Sequence, residues 1–227
     1  MTSSLALFLA LFSTAACTFI PPYTLPTNIV QLMGSLEYPG NDTSFLCNDI
    51  QFSYCQSIFN SRIGVNQSKS WRDGTYLYNV IENKLDFSQQ DFSNTCKYYT
   101  DFSQCMGSVL RNCMNVNYML TRGGSSVDPQ NVLDYTRTFR SLDFMCTSAS
   151  SQVIGKWGCL GAVPQTSTYK MCTSSFQRAV NSNNLCLSVN QTASCMSDAF
   201  NAACGTGPYG CNNFISEFNT ACNGLTC

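Results

Sequence analysis

Apolar residues recur at steps of three and four along most of this chain, which is the period of an amphipathic α-helix. The longest stripe lies in residues 89–114, where aromatic, aliphatic and cysteine side chains share one helical face. The same period appears in four further segments: 44–60, 75–85, 165–180 and 211–222. No stretch alternates convincingly with period two. The pattern therefore predicts an all-α fold, a bundle of about six to seven helices.

Two local features refine this prediction. In residues 44–60, the apolar set includes Ile50, Tyr54 and Ile58, which stand four residues apart. Asp128 followed by Pro129 combines a preferred N-cap with proline at the first helical position, and an apolar stripe then continues to Met145. We expect a helix to begin there.

The first 17 residues, MTSSLALFLALFSTAAC, have the layout of a secretory signal peptide. The apolar block Leu5–Phe12 is about half of the ~20 residues that a membrane-spanning helix needs. Small residues allow cleavage after Ala15, Ala16 or Cys17. We therefore expect a secreted, extracellular protein without a membrane span.

The rest of the chain divides into two parts by composition. Residues 18–40 contain four prolines and Gly40, and they are predicted to form an extended N-terminal arm. Residues 41–227 are predicted to form a single disulfide-rich helical domain. Its length is sufficient to bury a hydrophobic core, so disulfide bridges supplement the packing.

Cysteine parity bears on the cleavage site. The chain has 15 cysteines, and removal of Cys17 leaves an even number that can pair completely. Parity favours cleavage after Cys17. The alternative, Cys17 as a lipid-modified first residue, conflicts with Thr14 and with the uncharged start of the chain. The cysteines expected in disulfides are Cys47, Cys55, Cys96, Cys105, Cys113, Cys146, Cys159, Cys172, Cys186, Cys195, Cys204, Cys211, Cys222 and Cys227.

The spacing of four cysteines restricts their pairing. Cys47 and Cys55 stand eight residues apart on one predicted helix, and Cys105 and Cys113 do so on another. Eight helical residues rise ~12 Å, beyond the ~7 Å limit between bridged Cα atoms, so neither pair closes on itself. Facing antiparallel helices predict Cys47–Cys113 and Cys55–Cys105. Parallel helices would pair Cys47–Cys105 and Cys55–Cys113, and Cys96 can displace either partner.

Composition excludes several kinds of site. The chain has no histidine and no Cys-x-x-Cys, so we expect no metal site and no cofactor. With 12 basic and 13 acidic side chains, no charge imbalance indicates a nucleic-acid partner. Sequons at Asn41, Asn66 and Asn190 predict N-linked glycans, which also indicate secretion.

Catalysis has little support in the residues. Histidine-dependent triads are impossible, and the glutamates that paired-carboxylate chemistry could use are Glu37, Glu82 and Glu217 alone. We therefore expect no enzyme. Two function classes are left: a secreted binding or structural module that contacts an extracellular protein or matrix component, and a carrier of a small apolar ligand. The 15 Phe and 11 Tyr permit a ligand pocket, although core packing is the plainer account of them.

A set of short motifs resembles the nematode family of secreted cysteine-rich proteins that carry the domain of unknown function numbered nineteen. The motifs are Cys96…Tyr99…Phe102…Cys105…Cys113, Leu142-Asp143-Phe144-Met145-Cys146, Trp157-Gly158-Cys159-Leu160 and Cys204…Tyr209-Gly210-Cys211…Phe218…Cys222…Cys227. The resemblance covers most of residues 47–227. It implies a secreted, all-helical, disulfide-bonded domain without known catalysis, and it supplies no functional residues.

The chain is also similar, more distantly, to the chondroitin proteoglycan core domain of nematodes. Glycosaminoglycan attachment requires serine followed by glycine, and no Ser-Gly dipeptide occurs in the sequence. The resemblance therefore implies a shared scaffold without the proteoglycan role.

Overall fold

A computed structural model describes residues 18–37 and 47–227, and this part of the chain is all-helical without strands. It contains ten α-helices of eight or more residues and one single helical turn. The elements are α1 (Thr27–Glu37), α2 (Asp49–Arg62), α3 (Gly74–Phe87), α4 (Gln89–Met106), the single turn α5 (Leu110–Cys113), α6 (Val116–Gly123), α7 (Pro129–Cys146), α8 (Ser150–Ala162), α9 (Ser167–Ala179), α10 (Leu185–Cys204) and α11 (Gly207–Ser216). The all-α prediction is confirmed, and the number of helices exceeds the predicted six to seven.

Local chemistry sets several helix ends. Asp128 caps α7 by accepting from the Gln130 N–H at 2.9 Å, with Pro129 in the first turn as predicted. Ser88 caps α4 in the same way. The stripe predicted over 89–114 is interrupted because Gly107 has a φ of 53°, which ends α4 at Met106. A 3-10 turn then leads into α5.

Helix α7 occupies the centre of the molecule. All residues from Val132 to Phe139 are buried, so α7 is covered on every face. Helices α3, α4, α6 and α11 pack around it. Because its buried residues include Asp134 and Arg137, the core contains charged groups as well as apolar ones.

The prediction of an extended arm over residues 18–40 is wrong for Thr27–Glu37, which form α1. No proline interrupts this stretch, and Ile29, Val30 and Met33 are buried on the side that packs against α6 and α7. Residues 18–26, here called the N-terminal strap, have no regular secondary structure. The absence of a helix there is consistent with the predicted arm.

All fourteen cysteines in the described residues form disulfides, and Cys17 lies outside this part of the chain. The antiparallel pairs Cys47–Cys113 and Cys55–Cys105 are confirmed, with Cα–Cα distances of 4.7 and 5.8 Å. The placement of each pair on one helix is wrong, because Cys47 precedes α2 and Cys105 and Cys113 lie on α4 and α5. The remaining bridges are Cys96–Cys146, Cys159–Cys204, Cys172–Cys195, Cys186–Cys222 and Cys211–Cys227.

The bridges divide the chain into two covalently braced halves. Those of the first half lie within residues 47–146, and those of the second half within residues 159–227. No bridge in the described chain joins the two. The hydrophobic core is nevertheless continuous across them, so core packing joins the halves in addition to the chain segment 147–158 that connects them.

Candidate interaction surface

The N-terminal strap lies between the two halves and is bound by side chains of both. Phe19, Ile20 and Tyr23 are buried. From the first half, Tyr78 donates to the Ile20 carbonyl at 3.2 Å and Arg137 to the Tyr23 carbonyl at 2.6 Å.

From the second half, Asn213 donates to the Phe19 carbonyl at 3.0 Å. The Tyr23 ring also contacts Phe176 and Phe218, with centroids 5.5 and 5.9 Å away. The strap thus supplies apolar and polar contacts on both sides of a junction that none of the seven disulfides of the described chain crosses.

A buried ionic cluster surrounds Tyr23. Arg137 pairs with Asp134 at 3.0 Å, and its guanidinium lies 4.7 Å from the centroid of the Tyr23 ring. The Tyr23 hydroxyl donates to Glu217, which also accepts from Ser141 at 3.2 Å. Burial raises the pKa of Glu217 to about 7, while Arg137 opposes the rise.

The other two glutamates are also buried and structural. The Glu37 carboxylate accepts from Arg140, the Val116 N–H and Thr220, each at 2.8 Å, and so fixes the end of α1 to distant parts of the chain. Glu82 accepts from the backbone of the strap. None of the three glutamates, which were the candidates for carboxylate chemistry, is placed on an open surface.

The two sequons that the structure describes differ in backbone conformation, and Asn41 lies outside the described residues. Asn66 is exposed in a loop, where its side-chain oxygen accepts from the N–H and the hydroxyl of Ser68, both at 2.9 Å. This is an Asx-turn that leaves the amide nitrogen free for modification. Asn190 is exposed on α10, but the hydroxyl of Thr192 turns inward and donates to the Ser188 carbonyl at 2.8 Å.

Two cavities bear on the carrier alternative. One is a cleft of about 570 Å³ that opens to solvent beside the Cys159–Cys204 bridge, lined by Ile154, Lys156 and Trp157 among others. The other, between α9 and α10, measures about 110 Å³. Sites for drug-sized ligands enclose roughly 300–1,000 Å³. The first cavity is therefore too open, and the second too small, to enclose such a ligand.

The outer face of α2 carries exposed apolar side chains. Ile50 is 84% and Tyr54 63% exposed, and Ile58 continues the row as a half-buried residue. The helix turns Phe52, Cys55 and Phe59 toward the core instead, so the apolar set of residues 44–60 does not lie on one buried face.

Two bridges fasten α2 at this surface. Cys47–Cys113 holds the residues just before the helix, and Cys55–Cys105 ties its middle to α4. Gln51 adds hydrogen bonds to the Cys105 and Met106 carbonyls at 2.7 and 3.1 Å. The helix is thus held in place while one apolar row faces solvent. The sequence of α2 contains two apolar rows, and the row of Ile50, Tyr54 and Ile58 was the signal for this surface. Periodicity alone does not tell which of the two rows faces inward.

Within residues 18–37 and 47–227, no group of three or more acidic or cysteine side chains is arranged to hold a metal ion. In the same residues, no helix has the length and apolar character needed to cross a membrane. No protein-family model, no curated protein and no solved structure matches the chain.

Proposed function

We propose that this chain is a secreted, non-enzymatic extracellular module that binds another extracellular protein or a matrix component, and that the outer face of α2 is its contact surface. The seven bridges support an oxidising compartment, because disulfides persist outside the cytosol. The predicted signal peptide and the sequons agree with this compartment. The resemblance to the secreted nematode proteins stays a prediction.

The observation that carries the proposal is the exposure of Ile50 and Tyr54, one turn apart on a helix held by disulfides. Exposed apolar clusters on otherwise polar surfaces mark interaction sites. Helices commonly bind partners through anchors at positions i and i+4 that enter an apolar groove. A helix that is already ordered loses little conformational entropy on binding, which favours affinity.

The carrier alternative has less support. A carrier of an apolar ligand needs an enclosed apolar cavity, and the two cavities described above are either open or small. The aromatic residues that suggested a pocket instead pack against one another, as in the contacts among Phe59, Phe102 and Phe139. The interior therefore favours the binding module over the carrier.

Native mass spectrometry of the protein purified from the medium of its secreting cells tests the proposal. The expected spectrum contains a complex with a second protein, or a self-association, that is lost in the double variant Ile50→Gln/Tyr54→Gln. Glutamine keeps the helix propensity of these positions. Phe87→Gln and Leu187→Gln are matched controls, because these side chains are 82% and 59% exposed elsewhere on the surface.

Two outcomes would overturn the proposal. A monomer that co-purifies with a small apolar molecule would favour the carrier. A complex that survives in the double variant, but not in the controls, would show that the contact surface lies outside α2.

A further inference from the structure

Glu82 is a buried carboxyl group without a cationic side chain bound to it. The residue is 9% exposed, and none of the ion pairs in the described chain includes it. Its oxygens accept from the backbone N–H groups of Phe19 and Ile20, the latter at 3.2 Å. A buried carboxylate needs a compensating positive charge or must take up a proton, and two neutral N–H donors supply only part of that charge.

The side chains around Glu82 do not supply this compensating positive charge. Burial raises its pKa to about 8, and Asp86 adds to the rise. Arg137 acts in the opposite direction but is bound to Asp134 and to the Tyr23 carbonyl. Tyr78, which also faces this carboxyl, donates its hydroxyl to the Ile20 carbonyl. Among the residues that the structure describes, the groups around Glu82 thus provide no counter-ion at contact distance.

The backbone nitrogen of Thr18 would carry the compensating positive charge if Thr18 were the first residue of the chain. Its backbone nitrogen donates to the Gly161 carbonyl at 3.2 Å and directly precedes the Phe19 nitrogen that binds Glu82. Covalent geometry keeps successive backbone nitrogens within about 4 Å, which places the Thr18 nitrogen within about 6 Å of the carboxylate. Cleavage after Cys17 converts this amide into a primary ammonium group.

We propose that Glu82 is the binding site for the α-ammonium group of Thr18 in the processed chain. Removal of residues 1–17 then completes an ion pair at the end of the strap, where Gly161 of the second half and Glu82 of the first half meet it. The inference rests on the secretion assumed in the proposed function, because only cleavage after Cys17 places the charge there. Each extra residue left by cleavage after Ala15 or Ala16 moves the charge by up to about 3.6 Å.

The test compares recombinant chains that a specific protease releases with Thr18 as the first residue, so that it does not depend on cellular processing. NMR titration is expected to place the pKa of the α-amine about one unit or more above its usual 7.7–8.0. In Glu82→Gln the pKa returns to the usual range. Acetylation of the amine lowers the thermal midpoint of the parent by at least about 2 °C and has a smaller effect in Glu82→Gln.

Two further chains keep the test decisive. A chain with one alanine added before Thr18 retains Glu82 and all strap contacts, and its amine is expected to titrate normally even if Glu82→Gln does not fold. Asp86→Asn removes a nearby negative charge but not the acceptor, and its amine pKa stays raised.

The failures of the site and of the secretion step can be told apart. An amine pKa in the usual range for the chain that begins at Thr18 overturns the ion pair, whatever the cell does. Edman sequencing of the naturally secreted protein tests the processing separately. A start at Ala16 or Cys17 overturns the role of Glu82 in the mature protein, even if the recombinant chain forms the pair.

Discussion

Glu217 is a single carboxyl group that makes the free energy of unfolding depend on pH. It is 1% exposed, and its oxygens accept from the Tyr23 and Ser141 hydroxyls, while Arg137 and Arg140 act on it through their charge. Its ordinary pKa of 4.5 is raised to about 7 in the folded chain, chiefly by burial. Between these two values the folded chain binds more protons than the unfolded chain, so the free energy of unfolding falls as the pH rises.

We predict that the protein is more stable at pH 5 than at pH 8, with Glu217 contributing up to about 3 kcal/mol of the difference. Chemical denaturation at a series of pH values measures the slope, and Glu217→Gln is expected to reduce it, with Glu82, whose pKa burial raises to about 8, contributing to the slope that is left. Asp198→Asn, at an exposed position, is the control and should leave the slope as in the parent. Stability that rises from pH 5 to pH 8 in the parent, and equally in Glu217→Gln, would contradict this role.

The two described sequons differ in the hydrogen bond that the hydroxyl of each sequon makes. The Asx-turn at Asn66 brings the Ser68 hydroxyl to the asparagine side chain, whereas on α10 the Thr192 hydroxyl is bound to Ser188. We predict higher glycan occupancy at Asn66 than at Asn190, because helix formation removes the second sequon from an accessible conformation. Peptide mapping after glycosidase treatment in heavy water measures both sites. Equal occupancy would indicate that Asn190 is modified before α10 forms.

At the scale of helices, cysteine spacing and strong N-caps were the sequence features that predicted structure. The start of α7 was predictable because Asp128 and Pro129 act locally. For the pairing of α2 with α4 and α5, helical rise excluded only closure within each cysteine pair, so the antiparallel and parallel pairings both stayed open. The assumption that each pair lies on one helix was wrong, although the antiparallel pairing is the one observed. Glu82 and Glu217 were not identifiable as core residues, since their partners are 62 or more residues away in sequence.

Helices α8 and α10 were missed for different reasons. Helix α8 contains Gly155 and Gly158 and has a non-helical residue at Lys156, with φ −130° and ψ 23°, which weakens any periodic pattern. Helix α10 is the longest helix of the described chain, but many of its buried positions hold small or polar residues such as Ser188, Thr192 and Ala193. The exposure of Ile50 and Tyr54 was not predictable, because α2 carries two apolar rows and only tertiary contacts decide which of them is buried.

The lengths of the loops that the disulfides close predict how much stability the loss of each disulfide costs. Cys55–Cys105 closes a sequence separation of 50 residues, and Cys211–Cys227 closes one of 16. The entropy of the unfolded chain then predicts that loss of the first bridge costs about 1 kcal/mol more than loss of the second. Denaturation of Cys55→Ala/Cys105→Ala and Cys211→Ala/Cys227→Ala compares them, since each pair includes one buried cysteine. An equal or reversed order would show that native contacts outweigh loop closure.

At the scale of the whole molecule, the two halves are separate covalent units joined by one stretch of chain, residues 147–158. Lys156 lies in this stretch and is exposed at the non-helical position of α8. The strap, the core and this single connection hold the halves together in the native state. In denaturant, only the connection is left.

Trypsin cleavage after Lys156 is therefore expected to yield two pieces, ending at 156 and starting at 157, that separate on a denaturing gel without reductant. Cleavage after Lys170 or Arg178 is the internal control, because both lie inside the loop closed by Cys159–Cys204 and their fragments stay linked. Pieces that remain joined after a confirmed cut at Lys156 would reveal a bridge between the halves.

The position of the strap also has a consequence for the order of events during synthesis. Synthesis proceeds from the N-terminus, so the strap emerges before any of the helices that bind it. The first half can oxidise and pack while the second is still being made, because all of its bridges are internal. Asn213 and Glu217, which fix the far side of the strap, arrive among the last residues. Among the described residues, the segment that is translated first is therefore among the last to reach its native place, and until then its apolar side chains Phe19, Ile20 and Tyr23 stay exposed on the nascent chain.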